Sequence, residues 1–300
     1  MGKRQRQSRL RAFLALAALV APAASAAPEK VVLRPRYQVG DRYALALSTE
    51  TKTRVDARGT AQNKFREQVE LRYAAQIEIL ATDDAGSPVR ERHENVDLTY
   101  LRPEGTQSLF AKGASFELTR RTDGTVEIRF RGERVEAKIE KIVGDLLAHQ
   151  SEYAIAALLD RGRPVAVGER WELEPERVRE FLRARGIRAV KLDGAATAEL
   201  GAGEGDQLAL RYRIPIRGFA LLDLPPGATP AGSEGSLVGE VQLDGRGFHR
   251  ARAHSSALAL QLAGSLDTPA AGRPASWKLR RSQSVDQHTE MLKDQLASSR

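Results

Sequence analysis

The sequence predicts a mainly β protein of the α+β class, built on a curved antiparallel sheet or half-barrel with one long and one short amphipathic helix. Apolar and polar residues alternate with a period of two along most of the chain, as half-buried strands require. Two shorter segments show the three- and four-residue apolar spacing of amphipathic helices. The composition is that of a globular protein, with 41% hydrophobic and 29% charged residues among 300.

The alternation is clearest over residues 69–79. Charged residues there separate apolar ones, so we expect a strand with one buried and one exposed face. Glu70, Arg72 and Glu78 belong to the polar set, and the apolar set is Val69, Leu71, Tyr73, Ala75, Ile77 and Ile79.

Turn residues delimit further strands. Asp123-Gly124 separates two alternating runs and predicts a tight β-hairpin, because this pair adopts the positive φ angles of a type I′ turn. Alternation returns after Gly186. The Pro- and Gly-rich stretch Leu224–Gly235 is expected to be an exposed loop.

The long helix is predicted to begin near Val135 and to run through Leu147, with its apolar stripe packed against the sheet. The short helix is predicted over residues 174–182. Pro175 suits its first turn and Gly186 its end.

The N-terminal segment has the three parts of a secretory signal. Basic residues occupy positions 3–11, an apolar run extends from Ala12 to Ala21, and Ala24-Ser25-Ala26 offers small residues for cleavage. The apolar run is shorter than the roughly 20 residues that span a bilayer. We therefore expect residues 1–26 to be a signal peptide cleaved near Ala26, and the mature chain to be periplasmic or secreted with no transmembrane span.

The net charge of +8 does not indicate a nucleic-acid partner. Five of the 47 basic residues lie in the signal segment, and the remainder nearly balance the 39 acidic residues. Aromatic residues for stacking make up only 5% of the chain. The chain has no cysteine, which excludes disulfides and thiolate ligands.

A short motif occurs twice, at an offset of 128 residues. Val39-Gly40-Asp41-Arg42-Tyr43-Ala44-Leu45 and Val167-Gly168-Glu169-Arg170-Trp171-Glu172-Leu173 share the pattern V-G-acid-R-aromatic-x-L. In each copy, the glycine would turn the chain into a strand whose aromatic residue and leucine share a face. Duplication of a β-rich unit and chance similarity of two turn-then-strand openings are both open at this point.

This repeat suggests how the chain is divided. After the signal peptide, we expect a first β-rich half over residues 27–163 that ends in a helix, a second half over residues 164–291, and a disordered tail over residues 292–300.

The second copy and the residues before it, Pro164-Val165-Ala166-Val167-Gly168-Glu169-Arg170-Trp171, resemble secreted bacterial β-rich families of unknown function. A looser similarity is to periplasmic lipoprotein carriers. These resemblances imply a curved antiparallel sheet, or a half-barrel closed by helices over an apolar cavity, in the cell envelope. They transfer no catalytic residue.

No chemical motif stands out. We interpret each of the five histidines, His93, His149, His249, His254 and His288, as a surface residue, because none has a second metal ligand at a suitable spacing. Nucleophile motifs such as G-x-S-x-G are missing from the sequence. We therefore predict no catalytic residue, no metal ligand and no cofactor, and whether the protein is an enzyme stays open.

Two functions remain. The first is a non-enzymatic envelope protein that binds an apolar small molecule or an envelope protein on the curved sheet, with Ile142 and Leu146 of the long helix as ligand contacts. The second is an envelope hydrolase whose site is assembled only in three dimensions. A polar cleft joining His93 or His254 to a serine and an acid would favour the second.

Overall fold

The computed structural model describes residues 30–33, 37–58, 64–121, 125–147, 155–188, 191–203, 207–221, 224, 228–243, 251–266 and 275–292. The predicted signal peptide, almost all of the predicted tail, His149, His249 and the turn at Asp123-Gly124 lie outside these residues. The structure is mainly β, with 67% strand and 11% helix, which confirms the predicted fold class.

The secondary structure comprises long strands and short helices. The strands are β1 (Lys30–Val31), β2 (Arg42–Arg58), β3 (Lys64–Thr82), β4 (Pro88–Arg102), β5 (Gly105–Ser108), β6 (Ala114–Arg120), β7 (Val126–Phe130), β8 (Glu133–Arg134), β9 (Val165–Ala166), β10 (Arg170–Glu172), β11 (Ile187–Arg188), β12 (Lys191–Leu192), β13 (Thr197–Ala202), β14 (Leu208–Arg217), β15 (Ala220–Leu221), β16 (Ala228–Leu243), β17 (Ala251–Leu266) and β18 (Ala275–Met291). The helices are α1 (Ala137–Leu147), α2 (Ala156–Leu159) and α3 (Pro175–Arg183).

The main sheet has fourteen strands, and twelve of them form two blocks of six in chain order; β5 pairs with β4 and β12 with β14 beside this path. Its strand order is β10-β13-β14-β16-β17-β18-β2-β3-β4-β6-β7-β8, with every pairing antiparallel and the sheet not closed. Strands β18 and β2 join the blocks through sixteen register pairs, from Ser276↔Arg58 to Met291↔Tyr43. Within each block, neighbouring strands follow one another in chain order, apart from β11 and β15, which pair with each other in a separate sheet; duplication of a β-rich unit stays a prediction.

The two copies of the repeated motif have the same local geometry. Gly40 and Gly168 have φ angles of +94° and +87°, which only glycine adopts without strain. The Gly40 N–H donates to the Ile79 carbonyl at 2.9 Å, and the Gly168 N–H donates to the Leu200 carbonyl at 2.6 Å. Ile79 and Leu200 each donate back to the acidic residue after the glycine. The expected equivalence of the two glycines is therefore confirmed.

Both hydrophobic cores lie on the same face of the sheet. On β2, Tyr43, Leu45 and Leu47 belong to the N-terminal core, whereas Val55 and Ala57 pack against the C-terminal core. These odd-numbered residues share one face because side chains alternate along a strand. We call this the covered face, and the opposite one the uncovered face.

The helices cover the sheet from this side. Val143, Leu146 and Leu147 of α1 are buried in the N-terminal core, and Val178, Phe181 and Leu182 of α3 are buried in the C-terminal core. The predicted packing of the long helix on the sheet is confirmed. No helix among the described residues is long and apolar enough to cross a bilayer.

The predicted burial pattern of residues 69–79 is confirmed from Arg72 onward. Tyr73, Ala75, Ile77 and Ile79 are buried and Arg72 is exposed. Elsewhere in the range the contrast is weaker: Val69 and Leu71 are half-buried, and Glu70 and Glu78 are half-buried rather than exposed. Because these residues alternate, the apolar side of β3 faces the core while its backbone pairs with β2 and β4.

The loop predicted over Leu224–Gly235 is wrong in its second part, because β16 begins at Ala228. Pro230 is accommodated where the pairing with β17 shifts register before Gly232. Gly235 is needed for close packing, since a Cβ there would lie 2.5 Å from the Ala259 carbonyl oxygen. The proline and glycine residues from Ala228 onward therefore belong to a strand and not to a loop.

Candidate functional site

The uncovered face of strands β17, β18, β2 and β3 carries the candidate site. No described helix contributes to it, because the helices pack on the covered face. Side chains directly opposite each other on neighbouring antiparallel strands lie about 5 Å apart at Cβ. The register of these strands therefore determines which charges meet.

Three arginines meet across three adjacent strands. Arg280 of β18 is opposite Arg54 of β2, and Arg54 is opposite Arg66 of β3. Like charges in this arrangement repel and destabilise the sheet. Arg54 is paired with Asp56 at 2.9 Å, whereas Arg66 and Arg280 have no ion-pair partner among the described residues. We call Arg54, Arg66 and Arg280 the arginine row.

The neighbouring row on the Asp56 side is also basic. Lys278 of β18 and Lys64 of β3 lie opposite Asp56 of β2 from either side. A hydrogen bond from Arg54 lowers the pKa of the Asp56 carboxyl, and the charges of Lys64 and Arg280 lower it further. One carboxylate thus faces several cations.

Acidic residues balance the cations further along the same strands. Lys52 pairs with Glu50 at 2.8 Å, and Arg72 pairs with Glu70 at 2.5 Å. The charge excess is therefore local to the arginine row and to the strand ends beyond it.

Concave surface accompanies this charge. A pocket of about 590 Å³ is lined by the arginine row together with Pro103, Ala259 and Leu260, among others. A second, of about 950 Å³, lies toward the strand ends and is lined by Arg58, Lys64 and Lys278, among others. Phe65, which precedes Arg66, is 45% exposed but lies on the covered face, opposite Val55. Cations and recesses therefore lie together on the uncovered face.

A first buried polar cluster lies in the N-terminal core. The Tyr73 hydroxyl is 2.5 Å from His93 Nδ1, and His93 Nε2 lies 3.8 Å from Glu91 Oε2. Tyr43 donates to Glu91 at 3.2 Å, and Arg120 Nη2 approaches the same carboxylate at 3.5 Å. Burial, and then the charge of Glu91, raises the pKa of Tyr73 well above its usual value.

A second buried polar cluster lies in the C-terminal core. The Tyr212 hydroxyl is 3.1 Å from His254 Nε2 and hydrogen-bonds Ser256. Burial raises the pKa of Tyr212 to about 12 and lowers that of His254 to about 3. The Arg185 guanidinium stacks on Phe181 at 3.6 Å from the ring centre.

The prediction of surface histidines is therefore wrong for His93 and His254, which are 0% and 1% exposed. One nitrogen of each ring pairs with a tyrosine hydroxyl, which offsets part of the free-energy cost of burying the imidazole. His288 is exposed, as predicted. A signal for His254 existed, because it shares parity with the buried Leu258 and Leu260.

Neither cluster forms the polar cleft expected of a hydrolase. His254 lies near Ser256, but no described carboxylate hydrogen-bonds its ring, and His93 has a carboxylate and a tyrosine but is fully buried. Among the described residues, no three His, Asp or Glu side chains are grouped as a metal site.

The two predicted ligand contacts on α1 have different surroundings. Leu146 is 1% exposed and belongs to the N-terminal core, whereas Ile142 is half-buried. The two pockets of the uncovered face are lined by other residues. A ligand contact at Ile142 and Leu146 stays a prediction.

Comparison with known proteins identifies neither a family nor a function for this chain. No family model and no curated protein matches the chain. Lipovitellin, solved in a study of lipid–protein interactions, aligns over 86% of this chain at 10% identity and a TM-score of 0.39, but this chain spans only 26% of it. DynF from the dynemicin pathway of Micromonospora chersina aligns over 89% of this chain and 88% of its own at 8% identity and a TM-score of 0.20.

A BenF-like porin from Pseudomonas fluorescens aligns over 84% of this chain and 99% of its own, at 7% identity and a TM-score of 0.20. Likenesses of this size assign no function to the chain. The resemblance of its repeated motif to secreted β-rich families stays a prediction.

Proposed function

We propose that this chain is an exported, non-enzymatic envelope protein that binds anionic phospholipid headgroups at a membrane surface through the uncovered face of its central strands. The observation that carries the proposal is the arginine row. Two of its three guanidinium groups have no anionic partner among the described residues, although the strand register holds all three side by side.

Guanidinium groups suit phosphate chemically. The planar fork of arginine donates two parallel hydrogen bonds to a phosphate, which a lysine ammonium does not reproduce. Binding of phosphate would also relieve the repulsion between Arg54, Arg66 and Arg280. The row is therefore unfavourable in the free protein and favourable when it is bound to phosphate.

The extent of the basic surface suits a membrane, where phosphate groups lie side by side. Arg58 and Lys64 extend it at the same strand ends. Each basic residue near an anionic membrane surface adds about 1 kcal/mol to binding. The predicted signal peptide would deliver the chain to a compartment bounded by such membranes.

Vesicle sedimentation tests the proposal. We expect the protein to bind vesicles of phosphatidylcholine that contain phosphatidylglycerol, and to bind pure phosphatidylcholine far less. The double variant Arg66→Gln/Arg280→Gln should lose on the order of 1 kcal/mol per charge, or about thirtyfold in partitioning. Added salt should weaken binding of the wild type more than that of the variant.

The matched control is Arg188→Gln/Arg213→Gln, which removes the same charge from exposed positions outside the row. It should partition almost like the wild type. Equal loss in both double variants would show that net charge, and not the row, attracts the protein. Absence of binding to either vesicle type would contradict the membrane assignment and favour an acidic protein partner.

A further inference from the structure

The C-terminal core contains buried polar nitrogens that lack hydrogen-bond partners among the described residues. Arg185 Nη2, His254 Nδ1 and Trp171 Nε1 are inaccessible to solvent and have no hydrogen-bond partner among the described residues. Unpaired buried donors are rare, because each costs the free energy of its lost hydration.

The hydrogen bond with Tyr212 links the proton positions of the two side chains. Burial and the nearby charge of Arg185 keep His254 neutral, with a pKa of about 3. Tyr212 keeps its proton, since burial raises its pKa to about 12. When Tyr212 donates to Nε2, the proton of His254 resides on Nδ1 and this nitrogen is an unpaired donor; when Tyr212 accepts from Nε2, its own proton is free for Ser256.

Strand register places Trp171 in the same row as the cluster. Trp171 of β10 is opposite Ala198 of β13, which is opposite Tyr212 of β14, and Gly239 of β16 follows. Trp171 and Tyr212 are thus two strand spacings apart, or about 10 Å. Only the methyl group of Ala198 stands between them on the sheet.

Arg185 approaches this row from above the sheet. It follows the C-terminus of α3, donates to the Phe181 carbonyl at 3.1 Å and stacks on the Phe181 ring. That ring meets Tyr212 edge-on at 6.4 Å between centroids. Burial lowers the pKa of Arg185 to about 10, so the guanidinium remains charged at neutral pH.

No described carboxylate neutralises the charge of Arg185. The residue is partly buried and its Nη2 is inaccessible to solvent, and a charge withdrawn from water is stabilised by an anionic partner. What is missing is an acceptor that carries negative charge and fits apolar surroundings.

We propose that the C-terminal core binds a carboxylate group, held by Arg185 and completed by the N–H groups of His254 or Trp171. The site is separate from the arginine row and does not depend on it. Its carboxylate can belong to a small free acid or to the head of a fatty acid. The surrounding core favours the fatty acid, because it is built from apolar side chains such as Leu182, Leu210 and Val241.

Titration with two probes distinguishes these sources. Sodium acetate and sodium decanoate are added at constant ionic strength, with sodium chloride as reference, while thermal unfolding is followed. A ligand of the native state raises the unfolding temperature in a saturable way. A response to decanoate alone would assign a fatty acid, and an equal response to acetate would assign a small acid.

Arg185→Met is the test variant, and Arg183→Met is its matched control on an exposed residue of α3. We expect Arg185→Met to weaken binding by at least about tenfold, from loss of a charged hydrogen bond, and the control to bind like the wild type. Equal binding by both variants, or no response of the wild type to either acid, would overturn the proposal and leave a buried water as the acceptor.

A measurement on the wild type covers the case in which Arg185→Met does not fold. The carboxyl carbon of ¹³C-labelled decanoate is followed by NMR as the pH is lowered. A carboxylate held by a guanidinium should protonate at a lower pH than free decanoate, because the nearby cation favours the charged form. An unchanged or raised midpoint would place the headgroup in solvent or apolar surroundings and overturn the proposal.

Discussion

The two buried clusters bury the same pair of side chains at different electrostatic cost. In each core a tyrosine hydroxyl meets a histidine nitrogen, Tyr73 with His93 and Tyr212 with His254. Around His93, the charge of Arg120 is opposed by that of Glu91. Around His254, Arg185 has no such partner among the described residues. The N-terminal core thus satisfies its own charges, and the C-terminal core leaves one for a ligand.

The clusters also differ in how the tyrosine reaches its partner. Tyr73 and His93 lie on the adjacent strands β3 and β4, whereas Tyr212 on β14 reaches His254 on β17 across β16. Gly239 on β16 makes this crossing possible, because a Cβ there would lie 2.3 Å from the Tyr212 ring. The C-terminal cluster therefore depends on a glycine that the N-terminal one does not need.

Neutralising Glu91 should have the largest effect. Glu91→Gln keeps the shape of the side chain but removes the negative charge that Arg120 approaches, and removing one member of a buried ion pair costs about 3–5 kcal/mol. Chemical denaturation of this variant and of Glu117→Gln would measure the difference. Glu117 pairs with Arg90 at 2.5 Å on a partly exposed surface, so its loss should cost about 1 kcal/mol or less. Equal losses would show that Glu91 does not stabilise the cluster.

Gly239→Ala should cost about 3 kcal/mol, from overpacking together with the loss of the Tyr212–His254 hydrogen bond. Gly232 on the same strand is the control, because a Cβ there meets no atom within 4 Å. Thermal unfolding of the two alanine variants would measure the contrast. A neutral Gly239→Ala would mean that Tyr212 does not lie over β16.

Much of the fold could be predicted from local pattern. Alternation over residues 69–79 gave the correct faces of β3, and the repeated motif gave two equivalent strand openings. Each inference needed only neighbours in sequence, since strand faces and glycine turns are local properties. The strand at residues 228–235 was missed because its glycines and proline are explained by close packing against β17 and by a register shift, which local sequence does not reveal.

The candidate sites depend on distant pairing and could not be predicted this way. Arg54 meets Arg280 only because β2 and β18, from opposite ends of the chain, become neighbours at the join of the two blocks. To predict that His254 is buried, one would have to know that the side chain of Tyr212 crosses β16 to reach it. Histidines are often exposed, and that expectation outweighed the parity signal in the sequence.

The pH dependence of stability should show the smallest of these effects. It tests directly whether His254 is uncharged in the folded protein. The pKa of His254 is about 3 in the folded protein against 6.5 for an ordinary histidine. Below pH 6.5 the unfolded chain therefore gains a proton that the folded chain does not, so stability falls as the pH decreases toward 3. Between pH 6.5 and 5 this amounts to on the order of 2 kcal/mol. His254→Gln should remove that slope in urea unfolding, whereas His288→Gln, at an exposed position, should retain it. If stability depends on pH in the same way in His254→Gln, the wild-type imidazole is protonated in the folded protein. A buried imidazolium needs a negative charge beside it, so the two clusters would then be electrostatically alike.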